Sequence, residues 1–149
     1  STPYPIYRIE NGEKMSTRDD QRKFAFVIMP GFPLACLTSA IEPLRACNEI
    51  TGTDQFSWQV VSENSDTVKC SAGVTFDPDI TLAELPHCDA IYLLSTPNSQ
   101  FGDQRLSNGA LRNLHRRGAI IGGFSGGILQ MAGGSAGDRS DAARACGAD

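Results

Sequence analysis

Six consecutive apolar residues, Phe24-Ala25-Phe26-Val27-Ile28-Met29, run without polar alternation and stop at Pro30-Gly31. A strand with one solvated face alternates polar and apolar residues. An unbroken run of this length therefore predicts a strand buried on both faces, as in the interior of a parallel sheet. Such a strand needs helices above and below it and parallel neighbours at its sides.

The rest of the chain supplies candidates for both. Strands are predicted at residues 56–62 (FSWQVVS), 74–76, 90–94 (AIYLL) and 119–121. A helix is predicted over residues 39–50, where Ala40, Ile41, Leu44, Cys47 and Ile50 recur at helical spacing. There Ser39-Ala40-Ile41-Glu42 fits a capping box, with Pro43 in the first turn. A second helix is predicted over residues 108–117, ending in Arg116, Arg117 and Gly118. One short helical turn is expected between Asp77-Pro78-Asp79 and Leu85-Pro86. Strands alternating with helices at this spacing give an α/β fold, a doubly wound, mostly parallel sheet flanked by helices.

With 149 residues, 40% of them hydrophobic and 20% charged, the chain has the profile of one globular domain. The folded part is expected at residues 24–132. Residues 1–23 are polar and aperiodic, with Met15 inside them, and read as a disordered leader preceding or spanning the native start. Residues 133–149 hold nothing apolar larger than alanine except Cys146 and read as a disordered tail. A net charge of −4 presents no basic surface for nucleic acid. No apolar run approaches the roughly 20 residues that span a bilayer, and a cytoplasmic location is expected. Cys36, Cys47, Cys70, Cys88 and Cys146 lack metal-ligand spacing, so they are expected to be reduced thiols, with no metal and no cofactor.

Gly123-Phe124-Ser125-Gly126-Gly127 matches the G-x-S-x-G nucleophile elbow, after a strand and before Ile128-Leu129-Gln130-Met131-Ala132, which has a helical pattern. Two readings stay open. One is a reaction or ligand site at Ser125 and Gly126, and the other is a tight turn with Ser125 as helix N-cap. Catalysis by Ser125 needs a base. His87 precedes a strand and His115 ends a helix, so both belong to the amino-terminal edge of the sheet, roughly 17 Å from the elbow. Glu42, read as lying in the first helical turn, is placed at the elbow's own edge, either in a site with Ser125 or bonded to the Ser39 backbone.

Taken together, residues 24–31, the segment Ser39-Ala40-Ile41-Glu42-Pro43-Leu44-Arg45-Ala46-Cys47-Asn48, the run Trp58-Gln59-Val60-Val61-Ser62 and residues 118–127 resemble one family. It is the ThiJ/PfpI-like, class I glutamine-amidotransferase-like (flavodoxin-like) domain at the amino terminus of many AraC-type transcriptional regulators. The resemblance covers about residues 22–132 and implies a C-terminally incomplete copy of that domain. In enzymatic relatives the elbow residue is cysteine, assisted by a glutamate on the first helix. The matching positions here are Ser125 and Glu42. The resemblance also implies an oxyanion contributor after the fourth strand, where this chain has Ser95-Thr96-Pro97-Asn98, and Pro97 has no N–H to donate. These departures favour a non-enzymatic domain, and the resemblance implies that it senses a small amine or amino-acid-like effector, expected to bind through Glu42, Thr96, Pro97, Asn98, Ser125 and Gly126. The resemblance also implies homodimers, and contact with DNA only through a helix-turn-helix domain absent from this chain. The alternative is a stand-alone ThiJ/PfpI-type hydrolase, hydratase or stress protein.

Overall fold

The structure, a computed structural model, describes residues 21–125, with Phe124 and Ser125 described by their backbone alone. The expected leader and tail, Met15, Gly126 and the helical pattern at residues 128–132 lie outside the described residues.

The apolar run forms the centre of the molecule. Strand β1 (Arg22–Ile28) pairs in parallel with β2 (Phe56–Ser62) on one side and β6 (Ala90–Ser95) on the other. Outside β2 lies β5 (Ile80–Thr81), and outside β6 lies β7 (Ile120–Ser125), giving a parallel sheet of order β5-β2-β1-β6-β7. Successive side chains of β1 enter opposite layers. Ala25, Val27 and Met29 join Ile91, Leu93 and the Leu111 and Leu114 side chains of helix α2 (Gln104–Arg116). Phe26 and Ile28 join Leu37, Ile41 and Leu44 of helix α1 (Leu34–Thr51) on the other face. Two-sided burial is the physical reason the run carries no polar residue.

Several boundaries differ from the sequence expectation. Helix α1 begins five residues before residue 39, because Leu34 and Leu37 extend the apolar stripe of Ile41 and Leu44 by more than a turn. Its N-cap is Pro33, which gives no side-chain bond, so the capping box at Ser39 is absent and Pro43 lies inside the helix. Helix α2 starts at Gln104, capped by Asp103, whose side chain accepts from the Leu106 N–H at 3.0 Å. The segment at residues 74–76 joins no part of the main sheet. Instead β4 (Thr75–Phe76) pairs antiparallel with β3 (Val68–Lys69), and this ribbon folds over the β1–α1 turn, where Phe32 meets Phe76 edge to face at 5.6 Å. At the start of the domain, Arg22 and Lys23 belong to β1. The Lys23 N–H donates to Asp89 Oδ2 at 2.8 Å and the Arg22 N–H to the Gln55 carbonyl at 2.9 Å. The expected short turn is present as a 3-10 helix at Leu82–Glu84.

On the α1 side the sheet carries stacked rings. Tyr92 lies 6.0 Å from Phe26 and 6.5 Å from Phe24. Its ring covers Gly122 so closely that a Cβ there would stand 2.7 Å from Cδ1 and Cε1. A substitution must therefore push the ring out of its stack. Gly122→Ala is expected to lower stability by about 1–3 kcal/mol. Gly109 lies in α2 with nothing within 4 Å of an added Cβ, so Gly109→Ala should raise stability by about 0.5–1 kcal/mol. Urea denaturation of both variants checks the pair.

Candidate functional site

Because β1, β2, β6 and β7 are parallel, their carboxyl ends open onto one edge of the sheet, where open α/β sheets hold ligands. Residues 29–31, Glu63, residues 95–99 and Ser125 meet this edge. After β6 the chain turns sharply. The Ser99 N–H donates to the Thr96 carbonyl at 3.0 Å, the Thr96 N–H donates to Ser99 Oγ at 2.9 Å, and the two hydroxyls lie 3.0 Å apart. The turn thus satisfies its own backbone and projects Pro97 and Asn98 into solvent. Thr96 reaches back towards the β1 end, 3.7 Å from where a Cβ on Gly31 would stand. Gly31 takes a positive φ of 82°, which frees the chain to turn into α1.

Ser95, the last residue of β6, is paired in register with Ser125 of β7. It is fully buried, and among the described residues its hydroxyl has no hydrogen-bond partner. An unpaired buried hydroxyl costs about 1–3 kcal/mol, and such costs collect at binding sites. The register places this hydroxyl beside the backbone of the serine singled out by the elbow motif.

Glu63, immediately after β2, escaped the sequence reading. Its carboxylate accepts from the Gly102 N–H at 2.7 Å, the Asp103 N–H at 2.6 Å and the Ser107 hydroxyl at 3.1 Å. The N–H groups just ahead of α2 are thus held by a carboxylate from the end of β2, tying that strand end to the start of α2. An acidic residue directly after a buried strand, facing a helix start, is the signal that would have found it.

The expected role of Glu42 needs correction. Because α1 begins at Leu34, Glu42 lies eight residues in, about 12 Å along the axis from the helix start. The first turn of α1 holds no acidic residue. Glu42 points into solvent and pairs with Arg45 at 2.8 Å, and the hydrogen bond from that guanidinium holds its carboxyl below the ordinary value. The structure does not bring it to the Thr96–Asn98 turn. The histidines stand where the sequence puts them, at the opposite edge, with His115 Nδ1 3.0 Å from the Ala119 carbonyl oxygen and His87 exposed ahead of β6. Among the described residues no group of side chains is arranged to hold a metal ion.

No family model matches the chain. The HTH-type transcriptional regulator CdhR of Pseudomonas aeruginosa is 31% identical over 113 residues, 73% of this chain and 32% of that protein. Among solved structures, an AraC family transcriptional regulator from Pseudomonas putida superposes with TM-score 0.68 at 18% identity, over 83% of this chain and 71% of its own. A ThiJ/PfpI family protein from Pseudomonas syringae superposes at 0.55 and 14% identity, over 87% and 53%. By sequence this chain is similar to HTH-type transcriptional regulators, and its fold is that of ThiJ/PfpI family proteins and of an AraC family regulator. It spans about a third of the length of the curated relatives it matches.

Cys88 is buried at the opposite edge, and loss of solvation, aided by the Asp89 charge, pushes its thiol up to about 11 from 9.0. A thiol whose folded pKa is raised keeps its proton while the unfolded chain ionises, so stability should fall as pH rises from about 9 to 11. Denaturation across this range is expected to show the decline in the parent, and a shallower one in Cys88→Ala.

Proposed function

We propose that this domain senses a small amine or amino-acid-like effector, without catalysing a reaction on it, at the carboxyl edge where β6 and β7 end. The reading rests chiefly on the 31% identity with an HTH-type transcriptional regulator across most of this chain. The proposed pocket is bordered by Ser95, the Thr96-Pro97-Asn98 turn, and Ser125 with Gly126. Ser95 offers a hydroxyl that has no hydrogen-bond partner among the described residues. The start of α1 offers N–H groups without a side-chain cap, a setting that suits a carboxylate. The Glu42 carboxylate plays no part in this pocket as we draw it, since it is engaged by Arg45 in solvent.

The non-catalytic reading is supported by the proton balance of a serine nucleophile. An alkoxide at Ser125 requires a base within hydrogen-bond reach. The described histidines occupy the other edge, and Pro97 has no N–H for an oxyanion. In this proposal the domain works in the cytoplasm as part of a homodimeric regulator, and DNA is contacted by another region, within the two thirds of the relatives' length that this chain does not match. Among the described residues no helix is long and apolar enough to cross a membrane.

The test is a thermal-shift titration of this chain with a panel of amines and amino acids, followed by calorimetry on any hit. An effector at 100 times its Kd should add about 2.7 kcal/mol of stability. Ser95→Val and Ser125→Ala are each expected to weaken that binding at least tenfold. A stoichiometric acylation burst with an activated ester, abolished by Ser125→Ala, would instead establish the hydrolase reading.

A further inference from the structure

The outward faces of the two helices carry opposite charge at matched spacing. On α2, Ser107, Leu111 and Leu114 are buried, so Arg105, Gly109, Arg112 and Arg116, at steps of four, three and four residues, form a line on the opposite side. The three arginines are exposed, and among the described residues none makes an ion pair. Leu106 flanks the line with 64% of its surface exposed, beside a groove of about 680 Å³ that it lines with Leu82, Ala83 and Ala110. On α1, Leu37 faces the core while Glu42, Ala46 and Glu49 form the outward line, at steps of four and three. Ile50, 47% exposed, flanks this second line.

Arg45 clips both glutamates, but only through one oxygen of each: Glu42 accepts at Oε2 and so does Glu49, which leaves the Oε1 atoms open. The clip holds two carboxylates seven residues apart, about 10 Å along the helix, the same interval that separates Arg105 from Arg112. Between the charges stand a glycine on one helix and an alanine on the other, so the backbones meet no bulky side chain on approach.

We propose that α1 of one copy of this chain docks antiparallel on α2 of a second copy, with Glu49 against Arg105, Glu42 against Arg112, and Ile50 beside Leu106. Antiparallel alignment opposes the helix dipoles and brings the two exposed aliphatic residues to one end of the contact. The two helices lie on opposite faces of the sheet, so each copy retains a free α1 or α2 and the contact is head to tail. Association through it is open-ended and is distinct from a two-fold dimer. It is also salt-dependent, because the pairs form at an exposed surface.

Sedimentation velocity of the 149-residue chain at low salt is expected to show a mass that climbs with concentration past the dimer, and that falls back in about 0.5 M salt, where screening is short-ranged. The double variant Arg105→Glu/Arg112→Glu, and separately Glu42→Arg/Glu49→Arg, should each lose this growth, raising the apparent dissociation constant at least tenfold. An equimolar mixture of the two variants should regain it, since each then offers the charge the other lacks. Cooperative melting of both variants confirms that they fold. Growth unchanged in the folded variants, or a mixture that stays as small as its parts, would overturn the proposal, and neither result bears on effector binding.

Discussion

Everything in this molecule is arranged around β1, a strand that offers no face to water. Its Ala25 and Val27 are sealed by the α2 layer, its Phe26 and Ile28 by the α1 layer, and its two edges by β2 and β6. Its neighbours here are parallel, and right-handed crossovers running outwards in opposite directions put α1 and α2 on opposite faces of the sheet. The same constraint gathers four strand ends at one edge. The candidate site is therefore a consequence of how the central strand is buried.

The site is held by backbone-directed polar groups. The Thr96–Ser99 turn closes on itself, and Glu63 fastens the start of α2 to the end of β2 through three hydrogen bonds. Charge-assisted bonds of this kind are strong, and their geometry fixes where α2 begins. Against these satisfied groups, the Ser95 hydroxyl is the buried side-chain group that has no partner among the described residues. Sequence similarity to HTH-type transcriptional regulators adds the context of regulation, while the solved structures, at 18% identity and below, speak to the fold alone.

The strands were readable wherever burial is two-sided or the apolar run is long. β2 has the bounds its sequence suggests, and β1 and β6 differ by one or two residues. The helix starts were not readable. Proline at N-cap gives no hydrogen-bond signature, and Ser39-Ala40-Ile41-Glu42 carries a capping-box pattern in the middle of a helix. That one shift moved Glu42 from the sheet edge into solvent. Glu63 was missed for a related reason, since the N–H groups it caps are 39 and 40 residues away in sequence.

By itself, the sequence determined the fold class, the order of the main elements and the edge at which the elbow residue ends its strand, because these follow from periodicity and from which residues tolerate water. Tertiary structure alone decided where the helices begin, which carboxylate serves the site edge, and that the segment at residues 74–76 folds over the β1–α1 turn instead of joining the sheet. Those outcomes depend on contacts between residues far apart in the chain. Burial of Leu34 and Leu37 against the sheet, and the reach of Glu63 to α2, outweighed local patterns that contribute about 1 kcal/mol each.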